Sequence, residues 1–454
     1  MQRSGPWILL SLTPWLVAAL AARAEEPASQ PESTSGKPEL TVGLETRTHY
    51  RSSDDNRFAV KVPPQVPVPA GTQAFLRTVD PGDHFEISTV TLYLDARWGE
   101  SLVAHAKLDA IDLYDRNPTS EDRNFDVDEV WIRFGRASEP ALLPERPGFY
   151  VKVGKAPKFE RQNDRHLESY GLVATAFNRF EDTGLELGID LGRYLYLRAT
   201  ASQGNPLFFR DPNALAGDNG TSFFLRNPLP AEGPPFNSGV PILYDAEVED
   251  VDLDGKLEVG GGLGARWSNA DGSRGVDGLV WAYRRTLAKT VKLNGTFYGG
   301  DLDLLNGPFD ATPVALKGNK KQEVGANLWV YLGGFSFFGQ YVDQDIAGLG
   351  RKGLEAEAAW RFDLPLVWGL AGRQLFPSIA PSLRYSHLDP DFRPHPLFPA
   401  PSIAWDWVKL DYGVRVVIVD GVDLTIEYAD NKMTLFSGRE VSNNEFLTTL
   451  RWKL

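Results

Sequence analysis

The sequence predicts an all-β protein, a transmembrane antiparallel up-and-down β-barrel of about 18 strands, with 16 strands as the alternative. Apolar and polar residues alternate with a period of two in many segments after residue 40, which is typical of strands. Most of these segments run for about 10–14 residues, close to the ~9–11 that a tilted strand needs to cross a bilayer. Aromatic residues gather near segment ends, as in the interfacial girdles of membrane barrels: Tyr50, Trp98, Trp267, Trp360 and Trp452.

Composition excludes several other classes of protein. The chain has 454 residues, no cysteine and a formal net charge of −13. The lack of cysteine excludes disulfide frameworks, thiolate metal sites and cysteine nucleophiles. The acidic balance argues against nucleic acid as a partner, because binding to phosphates needs a basic face. A hydrophobic content of 42% is that of an average soluble protein, but a membrane barrel shows the same mean because its apolar residues occupy every second position.

The N-terminal residues have the features of an export signal. Arg3 precedes an apolar run from Trp7 to Ala22, and Ala22-Arg23-Ala24 has the small-residue pattern of a cleavage site. We therefore interpret residues 1–24 as a signal peptide. Residues 25–39, rich in Pro, Ser and Glu, are predicted to be a flexible N-terminal segment. Because no later stretch reaches the ~18 uninterrupted apolar residues of a spanning helix, residues 40–454 are predicted to form a single barrel domain.

The alternation begins at the start of this domain. Leu40, Val42 and Leu44 hold even positions, whereas Glu45 and Arg47 hold odd positions. In a soluble sandwich or β-helix the apolar face would turn inward; charges of both signs on the polar face instead suit a wet lumen. The same pattern recurs in the segments 89–98, 102–109, 183–191, 194–201, 257–268, 291–297, 323–332, 354–361, 408–418, 422–428 and 446–454. The faces of the predicted strands 125–136, 275–287 and 335–344 are not assigned by the pattern.

Short and long connections alternate along the chain. The short ones resemble hairpin turns: Gly99-Glu100, Gly192-Arg193, Asp254-Gly255, Ala288-Lys289, Gly333-Gly334 and Asp420-Gly421. The long ones lie near 52–84, 115–123, 158–181, 204–238, 302–320, 389–404 and 432–443. Bacterial barrels place short turns in the periplasm and long loops outside. This parity requires an additional strand at 242–249, gives the count of 18, and predicts that both termini are periplasmic.

At this point the chain resembles Gram-negative outer-membrane porins. The resemblance lies in the signal peptide, the ladder of strands and turns, and an aromatic-bearing last strand, Phe446–Leu454. Tyr150–Pro157 and Leu383-Arg-Tyr-Ser386 look loosely like segments of the phosphate-selective porin family. The chain departs from the porin pattern in ending with Leu454, since porins usually end in Phe or Trp. The resemblance implies passive diffusion of small hydrophilic solutes or ions, outer-membrane lipid and lipopolysaccharide as partners, and a homotrimer as one assembly.

A constriction is predicted at the loop 158–181. In porins the third outer loop often folds into the lumen, and this is the third long loop by our count. Opposed charges at a constriction orient dipolar solutes and select ions by charge. Acidic inward positions nearly match the basic ones, so most charges are expected to pair across strands, and anion preference is the minor hypothesis. The predicted constriction and pore-lining residues are Lys152, Lys155, Lys158, Arg161, Arg165, Glu168, Arg179, Arg47, Arg97, Lys107, Arg198 and Arg384.

Two other functions are carried as alternatives. A gated exporter of an anionic polysaccharide would use the 204–238 loop as its gate. A barrel-embedded enzyme is the third choice, but outer-membrane enzymes use ~8–12 strands, and the chain has no Gly-x-Ser-x-Gly motif, so we predict no enzyme. Asp250-x-Asp252-x-Asp254-Gly255 begins like a calcium loop, but its twelfth position is Gly261 instead of Glu. We therefore predict no metal site and no cofactor.

Overall fold

The barrel unit of the computed structural model comprises Glu39–Leu454. The predicted signal peptide, 1–24, and all but the end of the 25–39 segment lie outside the described residues. Described are residues 38–54, 58–60, 74–76, 82–112, 125–137, 142–162, 164–177, 181–204, 257–286, 320–346, 348–365, 368–370, 372–391, 406–434, 438–442 and 444–454.

Sixteen long strands form the wall in the described part of the chain. They are β1 (Glu39–Ser53), β2 (Gly82–Trp98), β3 (Leu102–Asp112), β4 (Asp126–Gly135), β5 (Phe149–Pro157), β6 (Glu181–Leu191), β7 (Leu195–Ser202), β8 (Glu258–Ser268), β9 (Arg274–Thr286), β10 (Lys320–Leu332), β11 (Phe335–Ile346), β12 (Leu349–Trp360), β13 (Ser378–Pro390), β14 (Asp406–Val419), β15 (Val422–Thr434) and β16 (Glu445–Lys453).

Short elements complete the described structure. A helix, α1 (Leu172–Ala176), lies between β5 and β6. Phe362–Asp363 pairs with β13, and Glu440–Ser442 pairs with β15, so both extend the wall. Two small hairpins pair Phe58–Val60 with Ala74–Leu76 and Gly369–Leu370 with Arg373–Gln374. None of the described helices is long and apolar enough to span a membrane.

The wall is closed and has 16 long strands in the described part of the chain, which is the alternative count predicted from the sequence. Each long strand pairs antiparallel with the next, and β16 pairs back to β1 from Lys453↔Glu45 to Glu445↔Ser53. The preferred count of 18 is wrong. Because β7 pairs directly with β8, and β9 directly with β10, the wall has no place for the predicted strands 242–249 and 291–297, which lie outside the described residues. The prediction of 18 strands failed because it interpreted Asp254-Gly255 and Ala288-Lys289, which lie inside long connections, as hairpin turns.

An even count brings both ends of the wall to the same side, called here the terminal end. Gly99 and Gly421 serve its tight turns with φ of 61° and 79°, conformations that a side chain would strain. Short connections at this end are 99–101, 192–194, 269–273, 333–334 and 420–421. The opposite, loop end carries the connections 54–81, 113–125, 158–180, 203–257, 287–319, 391–405 and 435–444, with a short exception at 347–348.

The apolar face of the strands points outward, as the alternation predicts. Val280 and Leu263 are 58% and 49% exposed, whereas Arg384 and Lys409 on the other face are both 0% exposed. A soluble protein shows the reverse distribution, since it hides apolar groups and leaves charges in water. The outward face is therefore lipid-facing, and the charged face surrounds the lumen.

Aromatic residues ring the outside of the terminal end. Trp98, Tyr194, Trp267 and Trp360 are all at least 40% exposed there. This position suits amphipathic rings at a membrane–water boundary and supports the predicted girdle. Tyr50, which the sequence grouped with them, lies at the loop end of β1.

Inward glycines make room for inward aromatic rings. In four cross-strand pairs an added Cβ on the glycine would lie 2.0–2.2 Å from the partner's ring, so only glycine fits beneath it. The pairs are Tyr150↔Gly188, Tyr196↔Gly264, Tyr283↔Gly260 and Trp281↔Gly325. This packing fixes the face of β9, which the sequence left unassigned: its aromatic residues point into the lumen.

Candidate functional site

The connection between β5 and β6, residues 158–180, is the third loop at the loop end and is called L3. Its first turn is bound to inward side chains of three later strands. Tyr283 on β9 donates to the Glu160 carboxylate at 2.6 Å, and Gln340 on β11 donates to the Glu160 carbonyl at 3.1 Å. Lys158 donates to Glu258 on β8 at 3.1 Å. L3 therefore leaves its own strands and contacts the distant side of the barrel.

Wall carboxylates bind the backbone of the middle of L3. Glu427 on β15 accepts hydrogen bonds from the N–H groups of Glu168 and Ser169 at 2.7 and 2.8 Å. Glu357 on β12 accepts one from the His166 N–H at 2.8 Å. Because irregular backbone carries unpaired polar groups, these carboxylates supply partners that a loop cannot provide for itself.

Wall cations bind the carbonyl groups of the same segment. Arg384 on β13 donates to the Ser169 carbonyl at 2.8 Å and to Asp411 at 2.8 Å. Lys409 on β14 donates to the Tyr170 carbonyl at 2.6 Å. The side chains of Arg384, Asp411 and Lys409 are fully buried, so their charges are paired out of water. We call the inward faces of β8–β15 beneath L3 the docked wall.

Glycines let L3 approach the docked wall closely. A Cβ on Gly353 of β12 would lie 2.5 Å from the Phe177 ring and 3.0 Å from Val173. A Cβ on Gly171 would overlap the Glu355 carboxylate, which accepts a hydrogen bond from the Val173 N–H at 3.1 Å. The helix α1 therefore packs against bare backbone, with its apolar side chains buried.

A cavity of about 190 Å³ lies between L3 and the wall, and it is called the arginine cavity. Glu168 of L3 lies among its guanidinium groups, 2.9 Å from Arg415 and 3.4 Å from Arg47. Burial raises the pKa of the Glu168 carboxyl, but Arg47 and Arg415 outweigh burial and hold that pKa well below its ordinary value. The arginines that line the cavity are Arg47, Arg161, Arg165, Arg415 and Arg451.

Each of the wall arginines around this cavity also contacts an acidic residue of the wall. Arg451 lies 2.7 Å from Asp423, and Arg47 lies 2.7 Å from Glu45. Arg165 of L3 instead lies over the Tyr170 ring, with 4.2 Å from its guanidinium carbon to the ring centroid. The lining therefore combines guanidinium groups with carboxylates that offset their charge.

The inward faces of β2–β7 are called the open wall, where several charged side chains keep part of their surface exposed. His105 Nδ1 lies 2.9 Å from Asp95, and its ring stacks on Trp131 with 5.0 Å between centroids. Lys152 lies 2.8 Å from Glu186. These cross-strand pairs match the expectation that lumen charges of opposite sign neutralise each other.

The structure places some predicted site residues together and separates others. Arg47, Arg161, Arg165 and Glu168 meet at the arginine cavity, and Lys158 anchors the start of L3. The remaining inward positions on the open wall are Lys107, which pairs with Asp128, together with Lys152, Arg97 and Arg198. Arg179 lies outside the described residues.

Two predicted pore-lining residues do not line the lumen. Lys155 is paired across β4 with the exposed Val130 and lies on the outward face, where its ammonium donates to the Val127 carbonyl. Residues three apart in a strand point to opposite faces, which separates Lys155 from the inward Lys152. Arg384 points inward, but it is fully buried beneath L3 and holds the loop.

The predicted pore-lining residues leave out other residues of the site. Arg415 and Arg451 line the arginine cavity, and both sit on the polar positions of well-patterned strands, so the alternation could have identified them. Alternation also places the carboxylates Glu357 and Glu427 on the inward face, but it does not show that they bind L3, because their partners are distant in the chain.

One group of carboxylates has the spacing of a cation site: Asp128, Glu129 and Glu181. Each already has a partner: Lys107 bonds Asp128, Trp131 donates to Glu129, and Arg161 bonds Glu181. Two of the three carboxylates are therefore paired with cations, and the third accepts a hydrogen bond within the wall. The calcium-like sequence at 250–255 lies outside the described residues.

Comparison with known proteins shows that this chain is similar to solved structures in its fold. Neither a scan of protein-family models nor a search of curated proteins finds a match. Among solved structures, the outer membrane channel DcaP of Acinetobacter baumannii superposes with a TM-score of 0.51 at 8% identity, covering 94% of this chain and 100% of that one.

Two further solved structures are similar at lower scores. Pseudomonas putida OprB has a TM-score of 0.48 at 10% identity, covering 91% of this chain and 94% of its own. The anion-selective porin from Comamonas acidovorans has a TM-score of 0.44 at 9% identity, covering 92% and 100%. The similarity to DcaP shows that this chain has the closed antiparallel barrel fold of outer-membrane channels.

Proposed function

We propose that this protein is an outer-membrane porin through which small hydrophilic solutes or ions diffuse passively. The observation that carries the proposal is the inverted wall, with apolar side chains facing lipid and a charged lumen inside. The protein would lie in the bacterial outer membrane among lipid and lipopolysaccharide, with both termini at the periplasmic end. A homotrimer would be its assembly.

L3 would narrow the lumen in this porin. Its middle segment is fixed to the docked wall by backbone hydrogen bonds to Glu427, Glu357 and Arg384, and it borders the arginine cavity. A loop held this way is a permanent constriction that leaves the channel open. The guanidinium groups and carboxylates that face each other there would orient dipolar solutes as they pass.

Neither alternative function gains support from a described residue. The gate of a polysaccharide exporter was assigned to 204–238, of which only Gly204 lies within the described residues. The resemblance to phosphate-selective porins stays a prediction, because the similar structures support only the general channel fold.

Conductance across a planar lipid bilayer tests the proposal. Purified, folded wild-type protein should give stable nanosiemens-scale steps, and silence would instead favour a gated exporter or an enzyme. Gly353→Leu should raise the conductance, because its side chain would displace Phe177 and Val173 and loosen L3. Overpacking of this kind costs about 1–3 kcal/mol.

A matched control keeps the test specific. Gly278→Leu makes the same substitution on the outward face, where the nearest atom to an added Cβ is 4.0 Å away. It should leave the conductance unchanged. Equal conductance of Gly353→Leu and wild type would contradict the narrowing by L3 while leaving the open pore intact.

A further inference from the structure

The open wall carries three arginines that the contacts described above do not neutralise. Arg97 is the penultimate residue of β2, Arg133 lies near the end of β4, and Arg198 near the start of β7. All three point inward near the terminal end. Within the described ranges none of them has an ion-pair partner. We call Arg97, Arg133 and Arg198 the end cluster.

Strand register places Arg97 and Arg133 of the end cluster in one row of inward side chains. Val103 is paired with Arg97 on one side and with Arg133 on the other, so the two arginines flank a small apolar side chain. Their Cα atoms are two interstrand spacings apart, roughly 10 Å. Two long guanidinium side chains at this distance can bind two anionic groups of one solute.

The carboxylate on the β6 side of the row is already occupied. Arg133 is paired with Lys152, and Lys152 with Glu186, which ends the row. Glu186 accepts a hydrogen bond from Tyr150 and lies 2.8 Å from Lys152. On the other side of the row Arg97 is paired with Glu39, and no ion pair joins these two described residues. The row therefore contains three cations and two carboxylates, and Glu186 serves Lys152.

Two further observations show arginine donors that no carboxylate accepts within the described residues. The Arg133 Nε atom is buried and has no hydrogen-bond partner. The Arg198 guanidinium lies 5.2 Å from the Tyr150 ring centroid and 4.5 Å from the Tyr196 centroid, and it donates to the Leu197 carbonyl. The rings, each seated over a glycine, fix the position of Arg198 without neutralising it.

We propose that the end cluster is a binding subsite for oxyanions, the carboxylate or phosphate groups of small solutes, and that it prefers dianions to monoanions. This inference rests on the proposed porin function and gives its solute class. An unpaired arginine desolvated by the wall gains most from an anion that supplies the missing acceptors. The site lies beyond the arginine cavity for a solute that enters from the loop end.

Calorimetric titration of the folded protein in detergent, at low ionic strength, tests binding directly. The probes are acetate, succinate and inorganic phosphate. Wild type should bind succinate and phosphate more tightly than acetate. Arg133→Gln and Arg198→Gln should each weaken succinate binding roughly tenfold, since a hydrogen bond to a charged group is lost, and Arg133→Lys should retain part of the affinity.

The control is Arg361→Gln, which removes an exposed arginine paired with Asp363 at 3.1 Å. It should bind like wild type. Reversal potentials in a KCl gradient give a second readout, in which Arg133→Gln shifts selectivity toward cations and Arg361→Gln does not. A heat-modifiable shift in gel mobility confirms that each variant is folded.

The outcomes separate the two proposals. If the wild-type pore conducts but the end-cluster variants match Arg361→Gln in both readouts, the subsite is wrong and the porin stands. If wild type is silent but binds succinate through Arg133, the subsite stands and the porin is wrong. Equal affinity for acetate and succinate would overturn the dianion preference.

Discussion

The docked wall and the open wall are built from the same alternating strands, yet their charges have different surroundings. On the docked wall Arg384, Lys409 and Glu427 are fully buried and bonded to L3. On the open wall Arg97 and Arg133 form no ion pair within the described part of the chain. Arginine thus holds the loop L3 on the docked wall, whereas on the open wall it is available to contact a solute.

The difference shows that L3, and not the strand pattern, decides which lumen charges meet a solute. Several bonds are needed to offset the free energy that a charge loses on desolvation, and L3 supplies such bonds to the docked wall only. Selectivity is therefore expected from the open wall and the arginine cavity, whereas the docked wall contributes stability.

The largest effect is expected from the docked wall. Arg384→Gln removes the buried cation that bridges Asp411 and Glu357 at 2.8 and 3.4 Å, and leaves Asp411 with Lys409 alone. We expect a loss of about 3–5 kcal/mol in the free energy of unfolding. Urea titration of the folded protein, followed by tryptophan fluorescence, measures it.

Arg361→Gln provides the reference for an exposed pair, whose loss costs about 0–1 kcal/mol. Equal destabilisation by the two substitutions would mean that the network under L3 does not hold the fold, and the distinction between the two walls would fail.

An intermediate effect is expected at the arginine cavity. Glu168→Gln removes the carboxylate that offsets Arg47 and Arg415, so the reversal potential should shift toward anions. Asp363→Asn, which removes an exposed carboxylate beside Arg361 at the terminal end, should cause no shift. A shift of the same size in both variants would point to a general surface-charge effect.

The same residue predicts a pH dependence. Because the pKa of Glu168 is lowered in the folded protein, its ion pairs stabilise L3 fully above the unfolded-state value of about 4.3. This contribution is lost only as the pH falls through the lower folded-state pKa. The contribution of Glu168 to the conductance should therefore be unchanged from pH 8 to pH 5. A loss of this contribution near pH 6 would contradict the ion-paired state.

The smallest expected effect is a difference in reversal potential between substitutions of two lysines on β5. Lys155→Gln should leave the reversal potential unchanged, because Lys155 lies on the outward face beside Val130. Lys152→Gln should shift it slightly toward cations, because Lys152 points into the lumen beside Glu186. Equal shifts would show that the face assignment of β5 is wrong.

The sequence predicted the features that depend on local pattern. Period-two alternation identified the lipid-facing side, and the order of long connections identified L3 and its residues Arg161, Arg165 and Glu168. The alternation of β5 also contained the opposite faces of Lys152 and Lys155, although the prediction grouped them.

Features that depend on distant contacts were not predictable. Glu427 binds Ser169 across 258 residues of chain, and no local pattern records such a pair. The strand count failed for a related reason, because only the pairing of β7 with β8 shows that 242–249 has no place in the wall. Turn-like dipeptides do not report which strands become neighbours.

The docking of L3 also sets an order for folding. Residues 166–173 of the loop precede in the chain the strands that bind their backbone, β12 to β15. Loop partners this remote form late, since closing long stretches of chain costs entropy before any contact repays it. The nascent lumen would thus stay unobstructed until its C-terminal third had joined the sheet, and only then would the loop settle into place.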